Sequence, residues 1–370
     1  MLPKERVLAS LQHREPDRIP TGEIGIDYTV SEQALGHPTL YRAKWREYQA
    51  IWQGRRDEYV ESCKHDLVEI VKKFNWDFVP VFLVPPHTDI PNPPKFIDRF
   101  TWEEPDGRIM RFSPESEGLP VCIKPLSLEN IRNDPVRLDP SQFELIDYVV
   151  HELGNTHFII GRGPDGSFPQ DKYGLVEILT AMIDNPKLVH RAIEIESQKS
   201  MLVNQALLDA GCDALLPGDD YCSQKGPMMS PKHFRTYILP GLTTLCQLAH
   251  KNGKYLIKHT DGNTWLILDM FLEAGIDGWH GIQILAGMDL GKLKNKYGEK
   301  ICFFGGVDVD WLVDGTPKDI RMETRSAIRS AGKGGGLVVT SGNTIMVGVR
   351  YENYRAMLET IQKFGVYPLK

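Results

Sequence analysis

The sequence predicts an α/β fold, and within that class a single (β/α)8 TIM barrel covering residues 1–370. In the second half of the chain, short apolar runs alternate with helical patterns at regular spacing, which is typical of parallel βαβ units. We count eight such runs along the chain, and eight units fit a closed barrel of this length. A doubly wound open sheet is the alternative, but no G-x-G-x-x-G sequence follows the first strand to favour it.

The chain is predicted to begin with an N-terminal helical extension. Pro3 suits a first helical position, and an apolar stripe predicts a helix over 3–13. A strand over 18–26 follows, and residues 40–75 have a helical pattern. We interpret the aromatic stripe of this region as core packing; it consists of Tyr41, Trp45, Tyr48 and Trp52.

Residues near 88–120 break the alternation and are predicted to form a β-hairpin insertion. Clustered prolines mark a loop before it, and Pro105-Asp106-Gly107 predicts the hairpin turn. The segment has few apolar residues of its own, so we treat it as an insertion within one domain. The predicted strands lie at 18–26, 77–84, 156–161, 213–217, 254–258, 277–285, 301–305 and 336–340.

Composition and charge exclude several classes of protein. With 41% hydrophobic and 25% charged residues the chain is neither disordered nor fibrous. A formal charge of −6 provides no electrostatic case for nucleic acid or an anionic membrane. No apolar run approaches the roughly 18 residues of a membrane span, and the charged N-terminus has no signal-like core. The six cysteines are scattered without a C-x-x-C pair, so we expect a cytoplasmic enzyme.

The stretch from Lys254 to Asn263, KYLIKHTDGN, combines a buried strand with a polar turn. Residues two apart on a strand face the same side, so His259 and Asp261 are expected to project together. Such a pair can hold a metal or exchange protons with a substrate. The structural alternative is that His259 is a satisfied turn residue and Asp261 a helix N-cap.

Other strands are also predicted to end in polar residues. In a barrel these ends converge on one mouth, where the active site lies. One His with several carboxylates can hold a divalent cation, or the carboxylates can act as general acid and base without metal. Besides His259 and Asp261, the strand ends contribute Glu23, His87, Arg162, Asp219, Asp220, Gln283, Asp308 and the Ser341–Asn343 segment.

Three motifs resemble the uroporphyrinogen decarboxylase superfamily. They are GDDYCSQKGPMMSPKHFRTYILPGL, HTDGN and GIQILAGMDLGKLKNKYGEKICFFGGVD, and the N-terminal ERVLASLQHREPDRIP is similar as well. The resemblance covers essentially the whole chain. It implies a (β/α)8 barrel, and one of two activities: decarboxylation of uroporphyrinogen, or methyl transfer involving a corrinoid on a separate protein.

The residues present favour the methyltransferase branch of that superfamily. The decarboxylases have R-Q-A-G-R-Y after the first strand, whereas this chain has EIGIDYTVSEQALG, and the site offers mainly acids. The zinc methyltransferases that activate thiols have His-x-Cys and a further Cys near the last strand. Here Asp261 and the Ser341–Asn343 segment stand at those positions. The resemblance therefore implies demethylation of a small methyl donor, with a methoxy-aromatic ether as the best candidate, and transfer of the methyl group to cob(I)alamin.

The sequence thus predicts an O-demethylase-type methyltransferase whose cobalamin is carried by a partner corrinoid protein, since the chain has no D-x-H-x-x-G signature. A monomer or homodimer is expected. The alternatives are a decarboxylase acting on another acid and a non-catalytic barrel. The predicted catalytic residues are Glu23, Asp220, His259 and Asp261. His259 and Asp261 are also the candidate ligands of a metal, where the His favours zinc and the oxygens favour harder ions. The predicted substrate-binding residues are Arg162, Asp219, Tyr221, Gln283 and Asn343.

Overall fold

The computed structural model describes residues 1–87 and 94–369, and its centre is a curled sheet of seven parallel strands. The strand order β1-β6-β7-β10-β11-β12-β13 follows the chain, as the barrel prediction requires. The strands are β1 (Phe78–Val81), β2 (Lys95–Asp98), β3 (Thr101–Glu103), β4 (Ile109–Arg111), β5 (Val121–Lys124), β6 (Phe158–Gly161), β7 (Ala214–Leu215), β8 (Cys222–Ser223), β9 (Gly226–Pro227), β10 (Tyr255–His259), β11 (Gly278–Ile282), β12 (Cys302–Val307) and β13 (Leu337–Ser341).

The segment predicted as the first strand, 18–26, lies between the two edges of this sheet. The carbonyl of Thr21 accepts a 2.6 Å hydrogen bond from the backbone N–H of Asp77, before β1. On its other side the carbonyl of Pro20 accepts a 3.0 Å bond from the N–H of Val339 in β13. The segment makes only isolated bridges because Pro20 has no N–H to donate. It occupies the eighth position, and the (β/α)8 prediction is confirmed.

Helices surround the barrel and cover its outer face with apolar side chains. A second apolar cluster, which includes Phe78, Phe158, Ile257 and Phe304, fills the interior. The α-helices span Pro3–Leu11, Tyr28–Leu35, Trp45–Trp52, Arg56–Phe74, Glu144–Leu153, Gln170–Tyr173, Leu175–Asp184, Pro186–Asp209, Pro231–His233, Leu239–Lys251, Leu268–Ala274, Leu290–Tyr297, Val309–Asp314, Pro317–Ala331 and Tyr351–Phe364. Across residues 1–87 and 94–369, no helix is long and apolar enough to cross a membrane.

The prediction of a helical region over 40–75 is confirmed for most of that range, but residues 40–44 are not helical and the helical part is divided. The structure has two helices there, Trp45–Trp52 and Arg56–Phe74, preceded by an irregular segment. Arg42 and Lys44 have positive φ angles of +49° and +56°, so neither residue can belong to a right-handed helix. Lys44 is held there by a 2.6 Å ion pair with Asp27. A side-chain contact distant in sequence therefore overrides the local helical pattern.

The insertion is larger than the predicted hairpin. It is a four-stranded antiparallel sheet, β2-β3-β4-β5, and residues 88–93 at its start lie outside the described residues. The turn at residues 105–107 is confirmed, since the N–H of Glu104 donates to the carbonyl of Arg108 at 2.8 Å. Trp102 of β3 is 1% exposed because it packs on Trp52, with ring centroids 5.0 Å apart. The aromatic stripe of the preceding helix thus provides the core that the insertion lacks.

Candidate functional site

A cavity of about 670 Å3 opens at the carboxyl ends of the barrel strands. This volume is in the range of small-molecule sites. A smaller cavity of about 100 Å3 adjoins it and shares Asn343 and Met346 with it. Of the predicted residues, the main cavity is lined by Arg162, Asp219, Asp220, His259 and Asn343, and the smaller one by Asp261, Gln283 and Asn343.

Asp220, His259 and Asp261 form a compact cluster in which one potential ligand atom of each lies within 4.8 Å of the others. Nε2 of His259 is 4.0 Å from Oδ1 of Asp220, and that oxygen accepts a 2.9 Å bond from the backbone N–H of Asp261. Asn343 donates its Nδ2–H to Oδ2 of Asp261. Oδ1 of Asp261 is buried and has no hydrogen-bond partner among the described residues. An orphaned buried oxygen beside a His and a second carboxylate fits a divalent cation.

His280 is a residue of this site that the sequence analysis missed. It lies beside His259 in the parallel register of β10 and β11 and is fully buried. The Nδ1 atoms of the two rings are 2.8 Å apart, so one ring donates a hydrogen bond and the other accepts it. This contact orients the His259 ring so that its Nε2 faces Asp220. The sequence signal for His280 is a histidine inside an otherwise apolar strand, whereas the site residues were predicted only from the strand ends.

Burial moves the pKa values of this cluster in opposite directions. Burial, followed by the charges of Lys258 and Arg162, lowers the pKa of His259 to about 3, so its imidazole is neutral at pH 7. Burial and the neighbouring Asp220 raise the pKa of Asp261 to about 8. At neutral pH the site therefore has a neutral imidazole beside a carboxyl group that holds a proton. Such a pair can donate a proton, or can bind a metal once Asp261 ionises.

Tyr221 was predicted to bind substrate, but the structure places it in the core. It is fully buried against Phe234 and lines neither cavity, and its hydroxyl donates a 2.5 Å hydrogen bond to Asp165. Asp165 also forms a 2.8 Å ion pair with Lys258, and both side chains of that pair are fully buried. The ammonium group of Lys258 donates further to the carbonyl of Asp219 at 2.9 Å. This network holds the segment after β7, which carries Asp219 and Asp220.

The structure does not bring Glu23 together with the other predicted catalytic residues. Glu23 is fully buried and lines neither cavity. Its carboxylate accepts hydrogen bonds from the backbone N–H and the hydroxyl of Ser341, at 3.0 and 2.6 Å. Burial raises the pKa of Glu23 to about 8. Its observed contacts connect the first barrel segment with the end of β13, so we assign it a structural role.

The buried position of Glu23 predicts that the stability of the protein depends on pH. The pKa of Glu23 is higher in the folded chain than the value of about 4.3 in an unfolded one, so its contribution to stability is lost as pH rises toward about 8. In the wild type, Glu23 should lower the free energy of unfolding by about 2 kcal/mol between about pH 5.5 and about pH 7.5. Glu23→Gln has no ionisable group at this position, so we expect that decrease to be absent from the variant. Urea denaturation at several pH values measures it. The exposed Glu352→Gln is the control, and an unchanged pH slope in Glu23→Gln would contradict the prediction.

The expectation that the site offers mainly acids holds by number, since five carboxyl groups line the main cavity, but cations line the cavity as well. Arg42, Lys44 and Arg162 all line it. Asp27 forms ion pairs with Arg42 at 2.8 Å and with Lys44 at 2.6 Å. The sequence did not predict Arg42 and Lys44 as site residues, because the helical pattern over 40–75 includes both positions. They reach the mouth only because the irregular segment after the helix Tyr28–Leu35 folds back over the barrel.

The closed barrel and the cavity at its mouth define a (β/α)8-barrel protein with a candidate small-molecule site. The family model described as uroporphyrinogen decarboxylase (URO-D) matches residues 169–364, more than half of the chain. The chain therefore belongs to the uroporphyrinogen decarboxylase family.

Individual relatives are distant in sequence. The chain is 24% identical over 188 residues to uroporphyrinogen decarboxylase of Methylococcus capsulatus, and the match covers 50% of this chain and 51% of that protein. It is 25% identical over 290 residues to the enzyme of Pelobacter propionicus, covering 73% and 79%. The chain thus spans about half the length of the Methylococcus relative. A solved methyltransferase from Methanosarcina mazei superposes with a TM-score of 0.74 at 19% identity, covering 98% of this chain and 99% of that one, which shows a shared fold.

Proposed function

We propose that this chain is a methyltransferase that demethylates a small methyl donor, with a methoxy-aromatic ether as the best candidate, and passes the methyl group to the cob(I)alamin of a separate corrinoid protein. The observation that carries the proposal is the cluster of Asp220, His259 and Asp261 beside a cavity sized for a small molecule. Cleavage of an ether needs a proton donor or a Lewis acid at the leaving oxygen, and this cluster suits either role.

In the route without metal, Asp261 holds the proton that the leaving oxygen requires. Its raised pKa, about 8, keeps the carboxyl protonated at neutral pH, and Asn343 donates a hydrogen bond to Oδ2 and so restricts the carboxyl's orientation. In the route with metal, His259, Asp220 and Asp261 would hold a divalent cation such as Zn2+, which would supply Lewis-acid activation of the leaving oxygen. Both routes are compatible with the neutral imidazole of His259, since a histidine must be deprotonated to bind a metal.

The corrinoid would supply the nucleophile that accepts the methyl group. The main cavity suits the donor, so we propose that the corrinoid protein docks outside it, at the mouth. The insertion supports this placement, because Leu119 both lines the cavity and is 61% exposed, and Val121 on the adjoining strand is 58% exposed. We further propose a cytoplasmic location and a monomer or homodimer; the location is supported by six cysteines that are all free thiols.

An assay of methyl transfer tests this function. The protein is mixed with cob(I)alamin, free or on a corrinoid protein, and with methoxy-aromatics or methylamines, while the cobalt(I) absorbance is followed. We expect the absorbance to decay only with a methoxy-aromatic donor. Sensitivity to a chelator distinguishes the metal route from the proton route. Stable absorbance with all donors, in the presence of a competent corrinoid protein, would leave a decarboxylase or a non-catalytic barrel.

A decarboxylase acting on another acid is the second candidate. The observation that favours it is the set of three cations in the cavity wall, Arg42, Lys44 and Arg162, of which Arg162 can pair with a carboxylate. Such an enzyme would release CO2 from its substrate without a corrinoid protein. Measuring CO2 release from candidate acids alongside the cobalt assay separates the two functions.

A further inference from the structure

The three cations that line the main cavity lie on one part of its wall, together with the carboxylates Asp27 and Asp165. The cations lie after the segments at the beginning of the barrel: Arg42 and Lys44 follow the closing segment, and Arg162 follows β6. The groups suited to chemistry lie on the next part of the wall, where Asp220 follows β7 and His259 is the last residue of β10. A ligand in this cavity can therefore contact a cation with one end and the cluster of Asp220, His259 and Asp261 with the other.

Arg162 is the cation of this wall without a direct partner. Arg42 and Lys44 are paired with Asp27, and the buried Glu47 also lies close enough to attract both. Within residues 1–87 and 94–369, the guanidinium of Arg162 makes no hydrogen bond and no ion pair. Burial and the positive charge of Arg42 lower its pKa to about 10, so it is still charged at pH 7. A partly buried charge without a partner is costly to the folded protein unless a ligand pairs with it.

We propose that Arg162 binds a carboxylate of the substrate, so that the molecule acted on is a small carboxylate-bearing compound. This inference deepens the proposed function and rests on it for the identity of the reaction, although the binding itself does not require turnover. A guanidinium presents paired N–H donors in a plane that matches a carboxylate. The two ends of the ligand are then fixed, the carboxylate at Arg162 and the reacting group at His259.

The rest of the wall favours a carboxylate over a phosphate. One unpaired cation balances a single negative charge. Asp220 and Glu117 line the same cavity, and their carboxylates would repel a dianion. The backbone near the site also carries strain, since Arg42 and Lys44 are non-glycine residues with positive φ. Ion pairs with Asp27 hold both side chains at the wall in spite of that strain.

Calorimetric binding of 4-methoxybenzoate and of its neutral analogue 4-methoxybenzamide tests the proposal without any turnover. We expect Arg162→Gln to weaken the benzoate by about 30-fold or more, because a hydrogen-bonded charge pair is lost. Binding of the benzamide should change by less than about threefold, since it never pairs with the charge. Arg162→Lys should restore part of the benzoate affinity, and the exposed Arg329→Gln should leave it unchanged.

Thermal melting provides a second readout. Removing an unpaired buried charge should leave the melting temperature of Arg162→Gln equal to that of the wild type or higher, whereas a purely structural arginine would lower it. Equal benzoate affinity in wild type and Arg162→Gln, absent binding of 4-methoxybenzoate by the wild type, or preferential binding of inorganic phosphate would each overturn the proposal. Carboxylate binding through Arg162 without any methyl transfer would refute the proposed function alone.

Discussion

Replacing His259 with alanine is expected to weaken Zn2+ or Co2+ binding by at least about 100-fold, because the cluster loses one of its three ligand side chains. The two remaining carboxylates offer only oxygen ligands, and zinc prefers a site that includes a nitrogen or sulfur. Titration of the purified protein with Co2+, followed by its visible absorption, measures the affinity. His151→Ala is a matched control, since the His151 side chain is 83% exposed and lies outside the cavity.

The same experiment separates the two routes for the leaving oxygen. Tight Co2+ binding that disappears in His259→Ala supports the Lewis-acid route. If wild-type protein and His259→Ala bind the ion equally weakly, the metal prediction is wrong and Asp261 becomes the proton donor. In that case Asp261→Asn should abolish turnover, while a chelator should have no effect on the wild type.

Replacing Lys258 with methionine is expected to destabilise the protein by about 3–5 kcal/mol. Burial disfavours ionisation of Asp165, but the charge and hydrogen bond of Lys258, together with the hydrogen bonds from Ser167 and Tyr221, hold the pKa of Asp165 below its usual value. Without Lys258, the Asp165 carboxylate would lie in the core without its counter-ion. The carbonyl of Asp219 would lose a donor as well. Urea denaturation at neutral pH measures the change in unfolding free energy.

A double variant distinguishes loss of the ion pair from a general packing defect. Lys258→Met combined with Asp165→Asn removes both charges, so we expect it to be more stable than Lys258→Met alone. Lys254→Met is the control: its partly exposed ammonium lies 3.3 Å from Asp213, and its loss should cost less than about 1 kcal/mol. Equal instability of the single and double variants would show that the pair is not energetically coupled.

The sequence alone predicted the barrel from short-range patterns, and it predicted the family from the resemblance of its motifs. Apolar runs and the helical periods between them are local properties, and seven predicted strands coincide with the sheet while the eighth closes it. The turn at residues 105–107 was equally local. The pairing of His259 with Asp261 could be anticipated from the two-residue period of β10, although the role of each side chain is still a prediction.

Only the tertiary structure decided which polar side chains share the cavity. Glu23 lies in the closing segment and Tyr221 comes directly after Asp220, yet the side chains of Glu23 and Tyr221 are buried in the core. A sequence pattern does not say which way a side chain points at the end of a strand. Arg42 enters the cavity because its positive φ and its bond to Asp27 override a helical pattern. His280 meets His259 through the register of two strands. Such contacts depend on chain packing between distant segments, which local residue preferences do not specify.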